Sequence, residues 1–491
     1  MANLFYITTT LPYVNDKPHI GHALEFIIAD VIARYKREQI GEQNVLFNVG
    51  TDEHGQKIYN KAIDLGIPVQ DYVDEYANKW KEFCTLFNIS YTKFYRTTDA
   101  EHIRLAQEFW RDCFKKGDIY KKKYKGLYCV GCESFKTEKD LVDGKCPYHN
   151  REPIEFEEEN YFFKLSKYTK QLLNFLSNNR NFVKPKKLGV ALKNFIKEGL
   201  TDISVSRLKK NMPWGIDIPN DPEQVMYVWF DALTNYIFAA GYKTDNKRFQ
   251  DFWPTVVQIC GPDNLRFQGA VWQGMLASAE LPQTKKLLVH GMVLAEDGRK
   301  MSKSMGNVVD PQELAAKYSV ETVKYFFAVE CPTYKDFAFS EERLVSCYND
   351  NLVDKYGNLL NRAIHLINLY KVDVLSIKKL DKEMLDDSKA EFNLIDTKFN
   401  KFETSMNKFN LFKAYKYIKD LATWGNQYIT ENAPWDSSKT DAERSRVLKV
   451  IYYLLLKLTK AYKPVIPESA ARAEIMLNKL EKGILFKKYS V

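Results

Sequence analysis

The chain has 491 residues and a formal charge of +9, with 72 basic against 63 acidic side chains. This length predicts several domains, and the 45% hydrophobic content excludes an extensively disordered protein. No run of 18 apolar residues occurs and the N-terminus lacks a signal-peptide pattern, so we expect no membrane span. The positive charge suits a polyanionic partner, although charge alone fits a mildly basic protein without one equally well.

The first hundred residues alternate between strand and helix patterns. Residues 4–9 form a short apolar, β-branched run, and apolar residues at helical spacing then continue from Ala23 to a helix stop at Gly41. Residues 44–49 indicate a second strand, which another helix follows. This β-α-β-α order predicts an α/β fold with a doubly wound parallel sheet, in which ligands bind beyond the carboxyl ends of the strands.

The remaining chain divides by pattern into an insertion, a second half of the sheet and a helical region. Residues 115–226 are rich in lysine and tyrosine and indicate an insertion between two halves of the sheet, at 1–114 and 227–337. Strand patterns resume at 227–229, 255–260 and 286–294. Residues 338–491 predict an antiparallel helical bundle, with amphipathic patterns at 350–370, 382–401, 411–428 and 441–462.

Three of the eight cysteines cluster with a histidine, while Cys84, Cys113, Cys260, Cys331 and Cys347 are scattered. Two ligand pairs, each separated by two residues, can enclose a tetrahedral ion. We therefore expect one structural Zn²⁺ in the insertion, although four unliganded side chains are the alternative. This cysteine usage also favours a reducing compartment, the cytoplasm. The expected ligands are Cys129, Cys132, Cys146 and His149.

Residues 18–22 read PHIGH and follow the first strand. Gly21 permits a ligand to approach the start of a helix, where the macrodipole favours anions. His19 and His22 can donate hydrogen bonds to phosphate oxygens. A functionless histidine pair at a helix N-terminus is the alternative interpretation of this string alone.

Residues 300–304 read KMSKS and lie in a glycine-containing loop. The ammonium groups of Lys300 and Lys303 can close over a triphosphate and neutralise the charge of a transition state. Alone, this string fits a solvated basic turn equally well. Taken with the two histidines, it predicts stabilisation of ATP phosphates while a carboxylate attacks the α-phosphorus.

These two strings resemble the paired motifs of class I aminoacyl-tRNA synthetases. Further strings narrow the resemblance to the methionyl-tRNA synthetase family along essentially the whole chain, among them LPYVN at 11–15, GTDEHG at 50–55, YVWFDA at 227–232 and VHG at 289–291. The resemblance implies a Rossmann-like catalytic domain that activates L-methionine with ATP and Mg²⁺ to methionyl-adenylate. It also implies transfer of the methionyl group to the 3′ end of tRNA(Met), for translation initiation and elongation.

The resemblance also implies roles for individual residues, and Asp52 would pair with the methionine ammonium. The implied catalytic residues are His19, His22, Lys300 and Lys303. ATP would contact Gly21, Gly261, Asp263, Val293, Ser302 and Ser304. An apolar, aromatic wall suits a thioether, although core packing is the alternative for Trp229 and Tyr236. The implied methionine contacts are Leu11, Tyr13, Asp52, Trp229, Ala232, Tyr236, Asn264 and Gln268.

Two positions depart from the family pattern. Pro262 stands where the family usually has lysine, and Gln268 stands where it usually has histidine. A glutamine can replace one hydrogen bond of an imidazole but cannot become a cation. The departure concerns the details of the methionine pocket more than the identity of the amino acid.

In the helical region, residues 358–362 and 433–435 match family positions that read the CAU anticodon. Trp435 can stack on an unpaired base, and Asn358 and Arg362 share a helix face. Core packing of Trp435 is the alternative.

Two other functions remain open from the sequence. Another class I synthetase is one, but the leucine, isoleucine and valine enzymes are much longer, and no cysteine precedes Cys84 to bind the zinc of the cysteine enzyme. A tRNA-binding protein that keeps a synthetase fold is the other, and both intact motifs argue against it. Residues 467–491 leave no room for the dimerising tRNA-binding barrel of some relatives, so we expect a monomer.

Overall fold

The structure, a computed structural model, describes residues 3–129, 134–136, 138–148, 150–301, 307–375 and 388–490. The chain divides into two compact units, each assembled from separate stretches. The first unit comprises Met1–Pro18, Ile40–Thr85 and Ser90–His290, and the second comprises His19–Gln39, Leu86–Ile89 and Gly291–Val491.

The first unit contains a six-stranded sheet in which every pairing is parallel. Three of its strands, Phe5–Thr8, Val45–Thr51 and Val257–Cys260, are buried along their whole length, as expected for a sheet that is covered on both faces. The order is β3-β2-β1-β12-β13-β7, where β1 is Phe5–Thr8, β2 Val45–Thr51, β3 Lys93–Arg96, β7 Val183–Lys184, β12 Val257–Cys260 and β13 Lys286–Val289.

Two smaller antiparallel sheets also belong to the first unit. One has the order β5-β4-β6-β8, from β4 (Ile119–Cys129), β5 (Ser134–Lys136), β6 (Ile154–Phe163) and β8 (Ile203–Ser204). The other has the order β10-β11-β9, from β9 (Ser206–Leu208), β10 (Asp217–Ile218) and β11 (Asp221–Met226). The strand β7 lies between β6 and β8 in sequence but pairs with β13 of the parallel sheet.

The helices of the first unit pack around a large aromatic core. They are α2 (Gln56–Leu65), α3 (Val69–Leu86), α4 (Ala100–Lys115), α5 (Thr169–Asn178), α6 (Lys186–Lys197), α7 (Val228–Ala239), α8 (Asn246–Phe252) and α9 (Trp272–Ser278). Trp110 meets Phe230 edge-on at 5.2 Å, and Trp253 meets Trp272 edge-on at 6.1 Å. Aromatic pairs in this geometry add to the stabilisation from area burial alone, which helps to hold α7 and α9 in place.

The second unit is mainly helical. Its helices are α1 (Ile20–Ile40), α10 (Pro311–Tyr318), α11 (Val320–Val329), α12 (Glu341–Tyr348), α13 (Asn358–Leu369), α14 (Lys389–Asn407), α15 (Leu411–Asn432), α16 (Asp441–Tyr462) and α17 (Pro467–Lys479), and β14 (Val293–Leu294) pairs with β15 (Phe337–Ala338). A buried ion pair joins α11 to α1, with Lys324 Nζ 2.7 Å from Asp30 Oδ2. Such a pair fixes the register of two helices, since either charge alone would be buried without compensation.

The predicted α/β class with a helical C-terminal region is confirmed. The strand predicted at 227–229 is wrong, because Tyr227 caps α7 and its carbonyl accepts hydrogen bonds from Phe230 and Asp231. These aromatic and β-branched residues form a helix that is buried on nearly every side, a pattern that short apolar runs do not distinguish from a strand. The strand predicted at 286–294 is split into β13 and β14. Gly291 lies between them and packs closely against another backbone segment, since a Cβ there would lie 1.9 Å from the Lys335 carbonyl oxygen.

The boundaries of the four predicted domains stay predictions. Along the described ranges, no helix is long and apolar enough to cross a membrane.

Candidate active site

The two histidines of the PHIGH string lie at the start of α1, in the second unit. Their rings stack with centroids 3.6 Å apart and planes at 23°. The backbone N–H of Gly21 donates to His19 Nδ1 at 3.1 Å, and the N–H of His19 donates to His22 Nδ1 at 3.3 Å. A Cβ at position 21 would lie 3.1 Å from the His19 ring, so glycine permits this arrangement.

These hydrogen bonds decide the tautomer of both rings. A backbone N–H can only donate, so each Nδ1 is an acceptor and the hydrogen of each neutral ring is on Nε2. Both imidazoles therefore present an N–H donor at Nε2. Since His19 is exposed and His22 is half-buried, this pair has the chemistry needed to bind phosphate oxygens.

The chain enters the KMSKS string through a hydrogen-bonded turn. Ala295 N donates to the Arg299 carbonyl at 2.8 Å, Asp297 and Arg299 form an ion pair at 2.6 Å, and Gly298 has a φ of 80°. A bridge between Leu294 and Lys300 closes this hairpin, which leaves Lys300 exposed. Ser302, Lys303 and Ser304 lie outside the described residues.

A backbone contact within the second unit joins the start of α1 to the chain that follows the KMSKS string. Ile20 N, in the first turn of α1, donates to the Val309 carbonyl at 3.3 Å. Val293 is buried in β14, beside the hairpin that carries Lys300. The start of the histidine helix and the chain that follows the lysine motif are therefore held together.

In the first unit, the end of β2 gathers three of the predicted methionine contacts. Asp52 N donates to the Pro12 carbonyl at 2.9 Å, and Tyr13 forms a parallel bridge with Asp52. A Cβ at Gly50 would lie 3.1 Å from Leu11 Cδ2. Leu11, Tyr13 and Asp52 are thus close neighbours at a carboxyl strand end, where the sheet topology predicts ligand binding.

A buried carboxylate ties this strand end to α7. Asp231 accepts from His54 Nδ1 at 2.6 Å and from His102 Nε2 at 2.5 Å. Burial raises the pKa of Asp231, but the two imidazoles outweigh it and hold the pKa of this carboxyl below its usual value. Because His54 follows Asp52 by two residues, the cluster links the ammonium-binding candidate to the helix that carries Trp229, Ala232 and Tyr236.

The aromatic candidates on α7 have different surroundings. The half-buried ring of Trp229 stacks on Phe267, with centroids 3.8 Å apart and planes at 5°. Tyr236 is buried, and its hydroxyl accepts a hydrogen bond from Gln268 Nε2 at 2.6 Å. Gln268 therefore contacts Tyr236 directly.

The end of β12 holds the remaining predicted nucleotide and substrate contacts of the first unit. Gly261 follows β12, and a Cβ there would lie 2.8 Å from Asp263 Oδ1. Asn264 N donates to the Gly261 carbonyl at 3.2 Å, which turns the chain at Pro262. The exposed Asp263 carboxylate is thereby held next to a glycine that lets a ligand approach the backbone.

The predicted anticodon residues meet at one end of the helical region. The guanidinium of Arg362 lies over the Trp435 ring, 4.3 Å from its centroid, and Nη1 donates to Thr430 Oγ1 at 3.1 Å. Trp435 is 42% exposed, so it is not a core residue. Asn358 is exposed one helical turn before Arg362 on α13. A groove of about 360 Å³ beside them is lined by Asp354, Lys355, Thr423, Asn426, Gln427, Thr430 and Glu431.

Several residues of these sites were not predicted from the sequence. Phe267 directly precedes Gln268, and this neighbouring position could have indicated it. His102 lies 129 residues from Asp231 and carries no local pattern. Arg444, whose Nε donates to the Pro434 carbonyl at 3.1 Å and so holds the Trp435 turn, is also without a local pattern.

The predicted zinc ligands are described only in part. Cys129 and Cys146 are buried, while Cys132 and His149 lie outside the described residues. Around Cys146 the chain makes a tight turn, in which Cys146 N donates to the Arg151 carbonyl and Asn150 N to the Cys146 carbonyl. Among the described residues, no group of three or more potential metal ligands occurs.

Comparison with protein families gives two matches that together span most of the chain. The model "tRNA synthetases class I (M)" matches residues 5–154 and 149–364, and the model "Anticodon binding domain of methionyl tRNA ligase" matches residues 381–484. The second match falls on the helical region that contains Trp435.

Individual proteins give the same result. Methionine–tRNA ligase of Caldanaerobacter subterraneus is 42% identical over 459 residues, 92% of this chain and 70% of the relative, and that of Clostridium acetobutylicum is 39% identical over 482 residues, 96% and 73%. Mycobacterium tuberculosis methionyl-tRNA synthetase in complex with methionyl-adenylate matches with a TM-score of 0.88 and 33% identity, over 96% of this chain and 93% of that one. The apo form of the same enzyme matches with a TM-score of 0.83 and 29% identity, over 100% and 99%.

Proposed function

The chain belongs to the methionyl-tRNA synthetase family of class I synthetases, and we propose how its residues divide the work of methionine–tRNA ligation. The reaction joins methionine and ATP into methionyl-adenylate and then transfers the methionyl group to the 3′ end of tRNA(Met). No covalent enzyme intermediate is needed, so the protein contributes positioning and charge stabilisation. The observation that carries this conclusion is the family match along both the catalytic and the anticodon-binding regions.

The direct experiment is ATP–pyrophosphate exchange assayed with each amino acid separately, followed by aminoacylation of tRNA(Met). A methionine-dependent exchange with methionylation of the tRNA is the expected result. Exchange with a different amino acid would indicate another class I specificity. No exchange with any amino acid, together with retained tRNA binding, would indicate a binding protein that keeps the fold.

The phosphates of ATP are assigned to the second unit. His19 and His22 each have an Nε2–H donor, since their Nδ1 atoms accept from the backbone. With Lys300 and Lys303 they would neutralise charge that develops at the α-phosphorus and on pyrophosphate. Gly21, Val293, Ser302 and Ser304 would form the surrounding contacts, and Mg²⁺ would accompany ATP as part of the substrate.

Methionine is assigned to the first unit, at the ends of β2 and β12. Asp52 would pair with the ammonium group, held by its backbone contacts to Pro12 and Val14. Leu11, Tyr13, Trp229, Ala232 and Tyr236 would enclose the thioether, which suits apolar and aromatic surfaces. Asn264 and Gln268 would complete this pocket, while Gly261 and Asp263 would contact the ribose of ATP.

A structural Zn²⁺ is proposed for Cys129, Cys132, Cys146 and His149. The two described thiols are 3% and 0% exposed and stand on a strand end and a tight turn, which fits a closed site of soft ligands. A bound ion would cross-link the strand β4 to the turn around Cys146. The ion has no part in the proposed catalytic steps.

The anticodon is assigned to Asn358, Arg362 and Trp435. The exposed indole provides a surface on which an unstacked base can lie, and the guanidinium above it provides donors for base edges. The groove beside Thr430 has amide and carboxylate groups that suit the edges of neighbouring bases.

The domain boundaries at 114, 226 and 337, a monomeric state and a cytoplasmic location complete the proposal. Light scattering after size-exclusion chromatography measures the oligomeric state directly.

A further inference from the structure

A chain of buried amides leads from the backbone of Thr284 to the hydroxyl of Tyr236. Its members Gln258, Gln268, Gln273 and Thr284 are at most 2% exposed. Buried polar groups are costly unless they are hydrogen-bonded, so the donors and acceptors of these four side chains must be satisfied by protein groups around them.

The backbone fixes the donor-to-acceptor direction of these hydrogen bonds at Gln273. Thr284 N–H donates to Gln273 Oε1 at 3.1 Å, and Gln273 Nε2 donates to the Gln268 carbonyl at 2.9 Å. A backbone N–H only donates and a carbonyl only accepts, so the amide of Gln273 has one possible orientation. The other hydrogen of its Nε2 is donated to Thr284 Oγ1 at 3.0 Å.

The direction is then passed from one side chain to the next. The Thr284 hydroxyl is buried and donates its hydrogen to Gln258 Oε1 at 2.5 Å, because a buried hydroxyl hydrogen without an acceptor would be costly. Gln258 Nε2 therefore donates to Gln268 Oε1 at 3.1 Å, and Gln268 Nε2 donates to the Tyr236 hydroxyl at 2.6 Å. The hydroxyl oxygen of Tyr236 is an acceptor at this contact, so its own hydrogen must be directed away from Gln268.

Neighbouring side chains also hold the Tyr236 ring in position. Tyr6 donates its hydroxyl hydrogen to the Tyr236 carbonyl at 2.8 Å, and Trp272 meets the Tyr236 ring edge-on at 6.0 Å. The position of the ring and the role of its oxygen are thus both determined from outside the substrate pocket.

We propose that Thr284, Gln258 and Gln273 are positioning residues that make the Tyr236 hydroxyl a hydrogen-bond donor toward the substrate side chain. The pocket would then favour a side chain with an acceptor atom, a thioether, over a hydrocarbon of the same shape. This inference rests on the proposed methionine pocket, in which Tyr236 and Gln268 line the wall. It explains how Gln268 serves in a place where the family usually has histidine, because the amide passes on the direction without titrating.

The test compares methionine with norleucine, in which a methylene replaces the sulfur, by kcat/KM in ATP–pyrophosphate exchange. Thr284→Val removes the relay hydroxyl at nearly constant shape, and Thr284→Ser is the matched control that keeps it. We expect Thr284→Val to lower the methionine-to-norleucine ratio about two- to tenfold, the value of one hydrogen bond. Thr284→Ser should keep the ratio of the parent.

Tyr236→Phe separates failure of this inference from failure of the proposed pocket. If Tyr236→Phe lowers the ratio and Thr284→Val does not, the relay does not set the direction and the inference is overturned. Equal losses of both substrates in Thr284→Val overturn it as well, since that is the effect of a purely structural residue. A ratio unchanged in Tyr236→Phe means that Tyr236 does not face the side chain, which rejects the proposed pocket itself.

Gln258→Met provides a second interruption of the relay, for the case in which Thr284→Val does not fold. It keeps the approximate volume and removes both the acceptor and the donor. The same loss of discrimination is expected, and an unchanged ratio in a folded Gln258→Met protein overturns the inference.

Discussion

The guanidinium carbon of Arg362 lies over the indole of Trp435, 4.3 Å from the ring centroid. Burial lowers the pKa of this guanidinium, which nevertheless stays charged at neutral pH because arginine titrates far above it. The pair therefore offers an RNA base both a stacking surface and a cation with several donors. In the proposed function it reads the anticodon, far along the chain from the residues that activate methionine.

The first prediction separates tRNA recognition from amino-acid activation. Trp435→Ala should leave methionine-dependent pyrophosphate exchange nearly intact, because the activation residues are elsewhere in sequence. Loss of one base–aromatic stack should reduce aminoacylation efficiency by roughly ten- to a hundredfold. Trp424→Ala removes a tryptophan that stacks on Tyr428 within α15 and serves as the control. Equal losses in both reactions with a lower melting temperature would contradict the anticodon role.

The second prediction uses the tautomer of the histidine pair. His22→Ala should lower the exchange rate by about 10²–10³, the usual effect of losing a preorganised donor in a transition state. His22→Gln should retain more activity than His22→Asn, because the Gln amide nitrogen can occupy the place of Nε2, whereas that of Asn corresponds to Nδ1. The exposed His365 is the control position. The reverse order of the two amide variants would show that Nδ1 is the donor.

The predictability of these sites from sequence depended on how local each one is. His19, Gly21 and His22 lie within four consecutive residues at one helix start, so this local string, taken together with the KMSKS string, predicted a phosphate site. The pair of His102 and Asp231 could not be found this way, since only the folded sheet brings residues 129 positions apart into contact. Tyr227 and Trp229 misled the strand prediction because a helix buried all round shows no amphipathic period.

The third prediction concerns the buried carboxylate between His54 and His102. Asp231→Asn should lower the free energy of unfolding by about 3–5 kcal/mol at neutral pH, since it removes the charge from a buried ionic cluster. The pKa of Asp231 is below its usual value, so its stabilisation is present above about pH 4 and is lost as pH falls through the lower folded value. Denaturant unfolding at several pH values should therefore show the two proteins converging in acid.

Asp297→Asn is the matched control for this measurement. Asp297 also has a lowered pKa, from its hydrogen bonds with Arg299, but this group is exposed. Its replacement should leave the unfolding midpoint nearly unchanged. A constant difference between Asp231→Asn and the parent down to the lowest pH would contradict the ionic account.

The fourth prediction concerns the metal. Elemental analysis of protein prepared without chelators should find one Zn²⁺ per chain, and Cys146→Ser should lower both the zinc content and the melting temperature. Cys347→Ser is the control, because burial raises the pKa of the Cys347 thiol to about 12 and keeps it a thiol rather than a metal-binding thiolate. Parent protein without zinc, or a Cys146→Ser protein with full zinc, would reject the site.

The fifth prediction asks whether Arg362 and Trp435 act as one unit. Arg362→Ala alone should weaken aminoacylation through the loss of its donors and of the cation over the ring, which is worth about 0.5–1 kcal/mol at an exposed site. If the guanidinium orders the indole for stacking, the double variant should lose less than the sum of the single losses, with a coupling of about 0.5–3 kcal/mol in a double-mutant cycle.

Arg446→Ala removes an arginine from an ion pair with Glu391 on the same helical region and should show no coupling to Trp435. Arg362→Lys keeps the charge but lacks the planar group, so it should behave like Arg362→Ala in the cycle. Strictly additive losses would mean that the two side chains contact the tRNA independently and that their 4.3 Å contact does not contribute to recognition.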